Sequence, residues 1–228
     1  MTFCDDLYEE VEPIWWAQLE HPFVVGIADG TLETEKFQRW VRQDYRYLEE
    51  FSRVFAWGAA KANKLSEMQF FASALDLTLN TEMELHRSYA ERFDITPQQL
   101  EAESMWPTTR AYTDFLVRVS ADGDLSELLA ALLPCAWGYA WLGNRLDEEF
   151  DRPDDDRYAD WIDTYTDDEF QSAAEHLRGL MNRHADGVGE SKRQRLVELF
   201  VLSSRYELQF WEMCWRGEQW EFDSQSKP

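Results

Sequence analysis

Helical periodicity runs through nearly the whole chain. Apolar residues recur at three- and four-residue spacing, and the strict alternation of a half-buried strand is scarce. Stop and start signals divide the pattern. Asp5 to Glu20 reads as a first helix that ends before His21-Pro22, and Asp29-Gly30-Thr31 reads as a turn. Thr34 can cap a helix that carries Trp40, Tyr47, Leu48, Phe51 and Phe55 toward Lys61 or Asn63. Ser66 with Gln69 has the form of a capping box opening a helix to about Phe93. Thr96-Pro97 restarts a brief turn, with proline at the tolerated first position. Further helices are expected over Thr108 to Ser120, from Ser126 or Asp124 to Phe150, over Tyr158 to Tyr165, and from Asp167 or Asp168 to His184. A last one follows Gly187-Val188-Gly189 and ends near Gly217. Seven to nine helices with broad apolar stripes bury them together as a compact all-α bundle, whose natural cavity lies between helices.

The chain has 228 residues, enough for a large core without disulfides or a structural metal, and no linker divides it. One domain over 1–228 is expected, with a flexible tail over 218–228. Charge narrows the partners. Asp plus Glu number 45 against 22 Lys plus Arg, a net charge of -23, and no basic stripe compensates. Such a surface repels phosphate backbones, so nucleic acid is not an expected partner. It is also the balance expected of a protein working in very high salt, where screening reduces self-repulsion. Cys4, Cys135 and Cys214 form neither a disulfide framework nor a tetrahedral metal signature. The first residues lack the basic and apolar regions of a secretory signal. The apolar run from Leu128 to Leu142 reads as too short and interrupted for a membrane span. The cytoplasm is the expected location, with no membrane partner.

Three segments carry possible chemistry. Cys135 stands in LLPCAWGYAWLG, after a proline that removes a helical hydrogen bond and one turn before Tyr139. A pocket wall and a small buried hydrophobe are both consistent with that setting. Asp44 falls among Trp40, Tyr47, Leu48 and Phe51, where a carboxylate is costly to bury unless something binds it. An arginine elsewhere or a ligand amino group would serve. Glu207 interrupts a stripe of Phe200, Phe210, Trp211 and Cys214, where desolvation raises a carboxylate toward useful acid/base values. Pairing with an arginine at a helix edge is the alternative there.

Taken together, FQRWVRQDYRYL, LNTEMELHRSY, LPCAWGYAWLG, YADWIDTYTDDEF and RYELQFWEMCW resemble the thiaminase-2 (TenA) family of aminopyrimidine aminohydrolases, in order and spacing as well as residue type. The resemblance extends from the first helix to about Trp215. It implies a haem oxygenase-like bundle without haem, an assembly of four identical subunits, and no cofactor or metal. It implies that Cys135 is the nucleophile toward an aminopyrimidine, that Asp44 binds the amino and ring-nitrogen edge, and that Glu207 shuttles protons. It further implies that Tyr47 stacks on the ring with Tyr112 nearby, that Tyr139 and Tyr165 surround the cysteine, and that Phe210 closes the pocket. The expected reaction converts the aminomethyl compound to 4-amino-5-hydroxymethyl-2-methylpyrimidine in thiamine salvage, and thiamine is a second candidate substrate.

Two other classes compete. Glu82 and His86, four apart, invite a metal-dependent oxygenase on a related scaffold, yet the paired Glu-x-x-His pattern of di-iron bundles is absent, so they read as a structural or outer pair. A non-catalytic pyrimidine-binding or regulatory protein would lack turnover, and the chain shows neither a basic recognition face nor a helix-turn-helix.

Overall fold

A computed structural model describes residues 2–221, and among these every regular element is helical. In chain order they are α1 (Phe3–Leu19), α2 (Pro22–Ala28), α3 (Thr34–Lys61), α4 (Leu65–Leu77), a π-helical turn (Thr78–Glu82), α5 (Met83–Glu91), α6 (Pro97–Glu101), α7 (Pro107–Asp122), α8 (Leu125–Glu149), α9 (Asp156–Thr166), α10 (Asp168–Ala185) and α11 (Glu190–Arg216).

The apolar helix α8 is the axis of the bundle. Asp124 starts it with a capping box. Its carboxylate accepts the Glu127 amide at 3.1 Å, while Glu127 accepts the Asp124 amide at 3.0 Å. Its faces are covered by α7, α9, α10 and α11, with α1 and α3 completing the enclosure. By length and composition alone the whole of α8, longer than the run from Leu128 to Leu142, could cross a bilayer. Here 78% of its most apolar window is buried within the bundle, so tertiary packing takes the place that lipid would fill. On the far side α3 packs against α4, α5 and α7 and presents a long buried face from Phe37 to Gly58.

Local differences from the sequence reading have local causes. His21-Pro22 does not only end α1. The His21 ring accepts the Phe23 amide at 3.2 Å and Pro22 occupies the first turn, so α2 begins there. Thr34 lies inside α3, whose cap position is Glu33 without a side-chain bond. The Ser66–Gln69 box does not form, because Lys64 is already the extended cap residue and Ser66 lies within the helix. The single helix expected from Ser66 to Phe93 is split by the π-helical turn. The turn expected at Thr96-Pro97 forms, closed by a capping box with Gln99, and of the paired alternatives Asp124 and Asp167 are the caps.

Gly217 closes α11 with φ +72°, a conformation that glycine adopts without strain. Of the tail expected from residue 218, Glu218 accepts the Thr108 amide at 2.9 Å and Trp220 donates its indole N–H to the Met105 carbonyl at 3.0 Å. Residues 222–228 lie outside the described part.

Candidate active site

Six helices converge on one buried cluster. Helix α3 supplies Asp44 and Tyr47, α7 Tyr112, α8 Cys135 and Tyr139, α9 Tyr165, and α11 Glu207 and Phe210; α5 adds His86. All eight residues singled out in the sequence meet there. The Tyr47 ring lies 5.3 Å from Phe51, 5.2 Å from Tyr112 and 5.9 Å from Phe210, centroid to centroid. Tyr139 and Tyr165 form a second aromatic wall 4.8 Å apart, backed by Trp161 and Trp211.

Two sequence details shape these walls. Pro134 has no N–H to return to the Ala130 carbonyl, which loosens the helix just before Cys135. At the next carbonyl, that of Ala131, the Ser203 hydroxyl donates a hydrogen bond of 2.6 Å and ties α11 to the interruption. Gly143 allows the end of α9 to seat directly on α8. A methyl there would come within 2.8 Å of Tyr165 Cβ and 3.1 Å of its backbone, so Tyr165 owes its place to a missing side chain.

Around Glu207 and Cys135 the polar centre holds protons rather than charges. The Tyr112 hydroxyl donates to Glu207 Oε1 at 2.5 Å and lies 3.1 Å from the Ser203 hydroxyl. Burial raises the Glu207 carboxyl to about 8; the Tyr112 bond and the Cys135 thiol oppose that rise, and the Asp44 charge adds to it. Burial also drives the Cys135 thiol well above its ordinary value, reinforced by the Glu207 charge and then by Asp44 and Glu82; the Tyr47 phenol works the other way. Tyr47 lies beside the thiol, yet its hydroxyl has no partner in good hydrogen-bonding geometry within the protein. At neutral pH the resting site thus contains a thiol, a protonated glutamic acid and phenols, all buried within the bundle.

Asp44 is 8% exposed and is met from α5, not from an arginine. His86 Nε2 lies 2.6 Å from its Oδ2, and His86 Nδ1 lies 2.9 Å from the Glu82 carbonyl. Trp40 lies over the imidazole with centroids 5.3 Å apart. Glu82 ends the π-helical turn; burial raises its carboxyl to about 6 and Asp44 adds to this, against the pull of His86 and Thr78. Three carboxyl groups therefore bear on one pocket.

Sequence reasoning placed Glu82 and His86 on one helix face but missed their link to Asp44, which lies 42 residues from His86. The spacing of four was a usable signal; the partner was not. With both His86 nitrogens engaged, the ring has no lone pair free for a metal, and among the described residues no group of three or more His, Cys, Asp or Glu is placed to hold one. Trp40 Nε1, Trp161 Nε1 and the Tyr47 hydroxyl are buried around the pocket without partners, as expected where a polar ligand completes the bonding. Two surface cavities, one beside Arg118 and Arg195 and one beside Lys61 and Lys192, lie away from this chemistry.

Comparison with known proteins agrees in sequence and shape. The model of the TENA/THI-4/PQQC family matches residues 8–217. The aminopyrimidine aminohydrolase of Halalkalibacterium halodurans is 41% identical over 223 residues, covering 98% of this chain and 100% of that relative. The solved structure of a TenA homologue from P. horikoshii OT3 has a TM-score of 0.88 at 31% identity, over 95% of this chain and 100% of the other. A domain from Shewanella denitrificans with a haem oxygenase-like fold matches with a TM-score of 0.69 at 14% identity, over 94% and 92% of the two chains, a likeness of fold alone.

Proposed function

The chain belongs to the TENA/THI-4/PQQC family, and from that premise we propose that it is an aminopyrimidine aminohydrolase of thiamine salvage. It replaces the amino group of 4-amino-5-aminomethyl-2-methylpyrimidine with hydroxyl. The observation that carries this reading is the meeting of Cys135, Glu207 and Asp44, from three helices distant in sequence, in one buried aromatic cluster.

The geometry suits a proton-neutral addition and elimination. Glu207, protonated at rest, gives its proton to the ring nitrogen next to the attacked carbon and collects the thiol proton as Cys135 sulfur bonds to that carbon. The electrons released into the ring then expel the amine from the exocyclic methylene, with the proton from Glu207, as ammonia. Water adds to the methylene and returns a proton to Glu207. The C–S bond breaks, the ring-nitrogen proton goes back to sulfur by way of Glu207, and aromaticity is restored. Water and the amine enter; the alcohol and ammonia leave. Tyr47 and Tyr112 supply the stacking faces, and Asp44 takes the amino edge of the pyrimidine.

Thiamine fits the same addition and elimination, except that its thiazolium departs as neutral thiazole without taking a proton, so the proton of the added water passes to solvent. Leu65, Met68, Leu77 and Leu79 are exposed along α4 and the π-helical turn, which supports self-assembly, with the homotetramer as the expected form. Three free thiols suit a reducing cytoplasm, and the net charge of -23 supports an activity that tolerates concentrated salt. The test is formation of the hydroxymethylpyrimidine and ammonia from the aminomethyl compound, with thiamine in parallel, at low and high salt. Tight binding of the pyrimidine with no turnover at any salt concentration would make the protein a binding module and sink the reading.

A further inference from the structure

We infer that His86 is a positioning residue that fixes the Asp44 carboxylate as a pure hydrogen-bond acceptor, so that the pocket takes its pyrimidine in the ring-protonated form. The inference rests on the ligand being an aminopyrimidine, as proposed above.

The tautomer follows from geometry. A carbonyl oxygen only accepts, so the 2.9 Å contact to Glu82 places a hydrogen on His86 Nδ1. The 2.6 Å contact between Nε2 and Asp44 Oδ2 holds one more proton, which belongs either to an imidazolium or to a neutral aspartic acid. The surroundings decide between them. Burial alone disfavours the imidazolium, but the hydrogen bond and charge of Asp44, with the Glu82 carbonyl and charge behind them, outweigh it and hold the ring above its ordinary value. The groups that bear on the pair are Glu82 from the π-helical turn, Tyr89 from α5, Cys135 and Tyr139 from α8, Tyr165 from α9, and Glu207 and Cys214 from α11. Each of these is neutral or negative. Arg39, five residues before Asp44, is directed to the Cys214 and Trp215 carbonyls at 3.5 and 3.4 Å. The face of Trp40 over the imidazole also suits a cation.

Asp44 then has no proton to give, and His86 occupies one side of its carboxylate. A neutral aminopyrimidine presents an amino N–H donor beside a ring-nitrogen lone pair, and that lone pair repels an acceptor. Protonation of this nitrogen, the one beside the amino group, turns the edge into two adjacent donors that match a carboxylate. The proton enters with the ligand from solvent and leaves with the product, so the overall reaction is unchanged. Meanwhile the positive ring is a better electrophile for Cys135 sulfur. His86 thus acts through Asp44 and touches no reacting atom.

Three readouts test this. The ultraviolet spectrum of the hydroxymethylpyrimidine bound to wild type at pH 8 is expected to be that of the ring cation, although the free compound is neutral there. His86→Leu should lose that spectrum and raise KM about 100-fold, with a smaller change in kcat. His86→Gln, which keeps a donor nitrogen near the Nε2 position, should recover all but about a tenfold loss in KM. Nitrogen-15 spectra of the imidazoles are expected to show both His86 nitrogens protonated at pH 7, and to lose that signature in Asp44→Asn. A neutral His86 ring overturns the inference whatever the ligand. So does a neutral spectrum of the bound pyrimidine, or a His86→Leu protein that is merely less stable with unchanged KM. A wild type that binds the pyrimidine as the cation without turning over the aminomethyl compound would instead remove the proposed activity and leave this inference standing.

Discussion

Acids meet helix α8 in two places, and the chain treats them in opposite ways. At its start, Asp124 and Glu127 face Lys192 at 2.7 and 3.2 Å and Arg195 lies 3.6 Å from Glu127, while Lys61 donates to the Gly123 and Ala121 carbonyls at 2.6 and 3.1 Å. Partial burial works against the Asp124 carboxylate, yet the bonds from Lys192, Ser126 and the Glu127 amide hold it below its usual value. Half-way along the same helix, Glu207 meets Tyr112 and Cys135 and is pushed up to about 8. The first acids have counter-charges and serve the cap. Glu207 has phenols and a thiol, and it keeps a proton to give. In a chain with 45 acidic residues, the rare quality is a carboxyl deprived of a cation.

The comparison breaks first at the cysteines. Cys135→Ala should lower kcat/KM by at least about 1,000-fold at near-normal thermal stability. Cys4→Ala should leave turnover intact, because the Cys4 thiol, pushed to about 12, is sealed between α1 and α10. Equal losses in the two variants would mean that Cys135 is ordinary core.

Glu207→Gln should cost about 100-fold in kcat/KM and abolish the alkaline limb expected near pH 8, measured as a pH–rate profile. Stability should move the other way. The folded carboxyl holds its proton to about 8, whereas the unfolded one loses it near the ordinary carboxyl value of 4.5. Wild type is therefore increasingly penalised as pH rises from about 4.5 to about 8, and the penalty is constant above that range. The glutamine variant should be more stable than wild type by on the order of a few kcal/mol at pH 9 and nearly equal at pH 4, read from chemical denaturation. A loss of stability at pH 9 would show that the Tyr112 bond outweighs desolvation.

Tyr112→Phe sharpens the same point with a smaller effect. Removal of the donor that holds Glu207 down should move the alkaline limb above 8 and reduce kcat/KM about tenfold. Lys192→Ala, at the charged end, should change stability by less than about 1 kcal/mol and leave turnover unchanged, with the difference vanishing in high salt. A marked fall in activity there would dissolve the contrast between the two ends.

Much of this was legible in the sequence where one element suffices. The caps at Thr96, Asp124 and Asp167, the apolar run of α8 and the turn at Gly217 are written within a few residues of where they act. The short α2 was hidden because His21-Pro22 ends one helix and starts another with the same dipeptide. Asp44 and Glu207 stood out as acids among aromatics, an oddity that left an arginine partner open for each until the family resemblance gave them roles. Their partners could not be read, since His86 lies 42 residues from Asp44 and Tyr112 lies 95 residues from Glu207. Periodicity gives a residue its face, but only packing between helices says what that face meets.

The π-helical turn from Thr78 to Glu82 has a consequence for how such a site can be lost. A turn of this kind inserts one residue into an otherwise regular helix and advances everything after it by about 100° of rotation. His86 reaches Asp44 in that shifted phase. Deletion of a single position between Leu77 and Met83 would give a more regular helix and swing the imidazole off its carboxylate by about a quarter of a circle. The information for the contact is stored as a count, so the site can be dismantled with every one of its side chains still present.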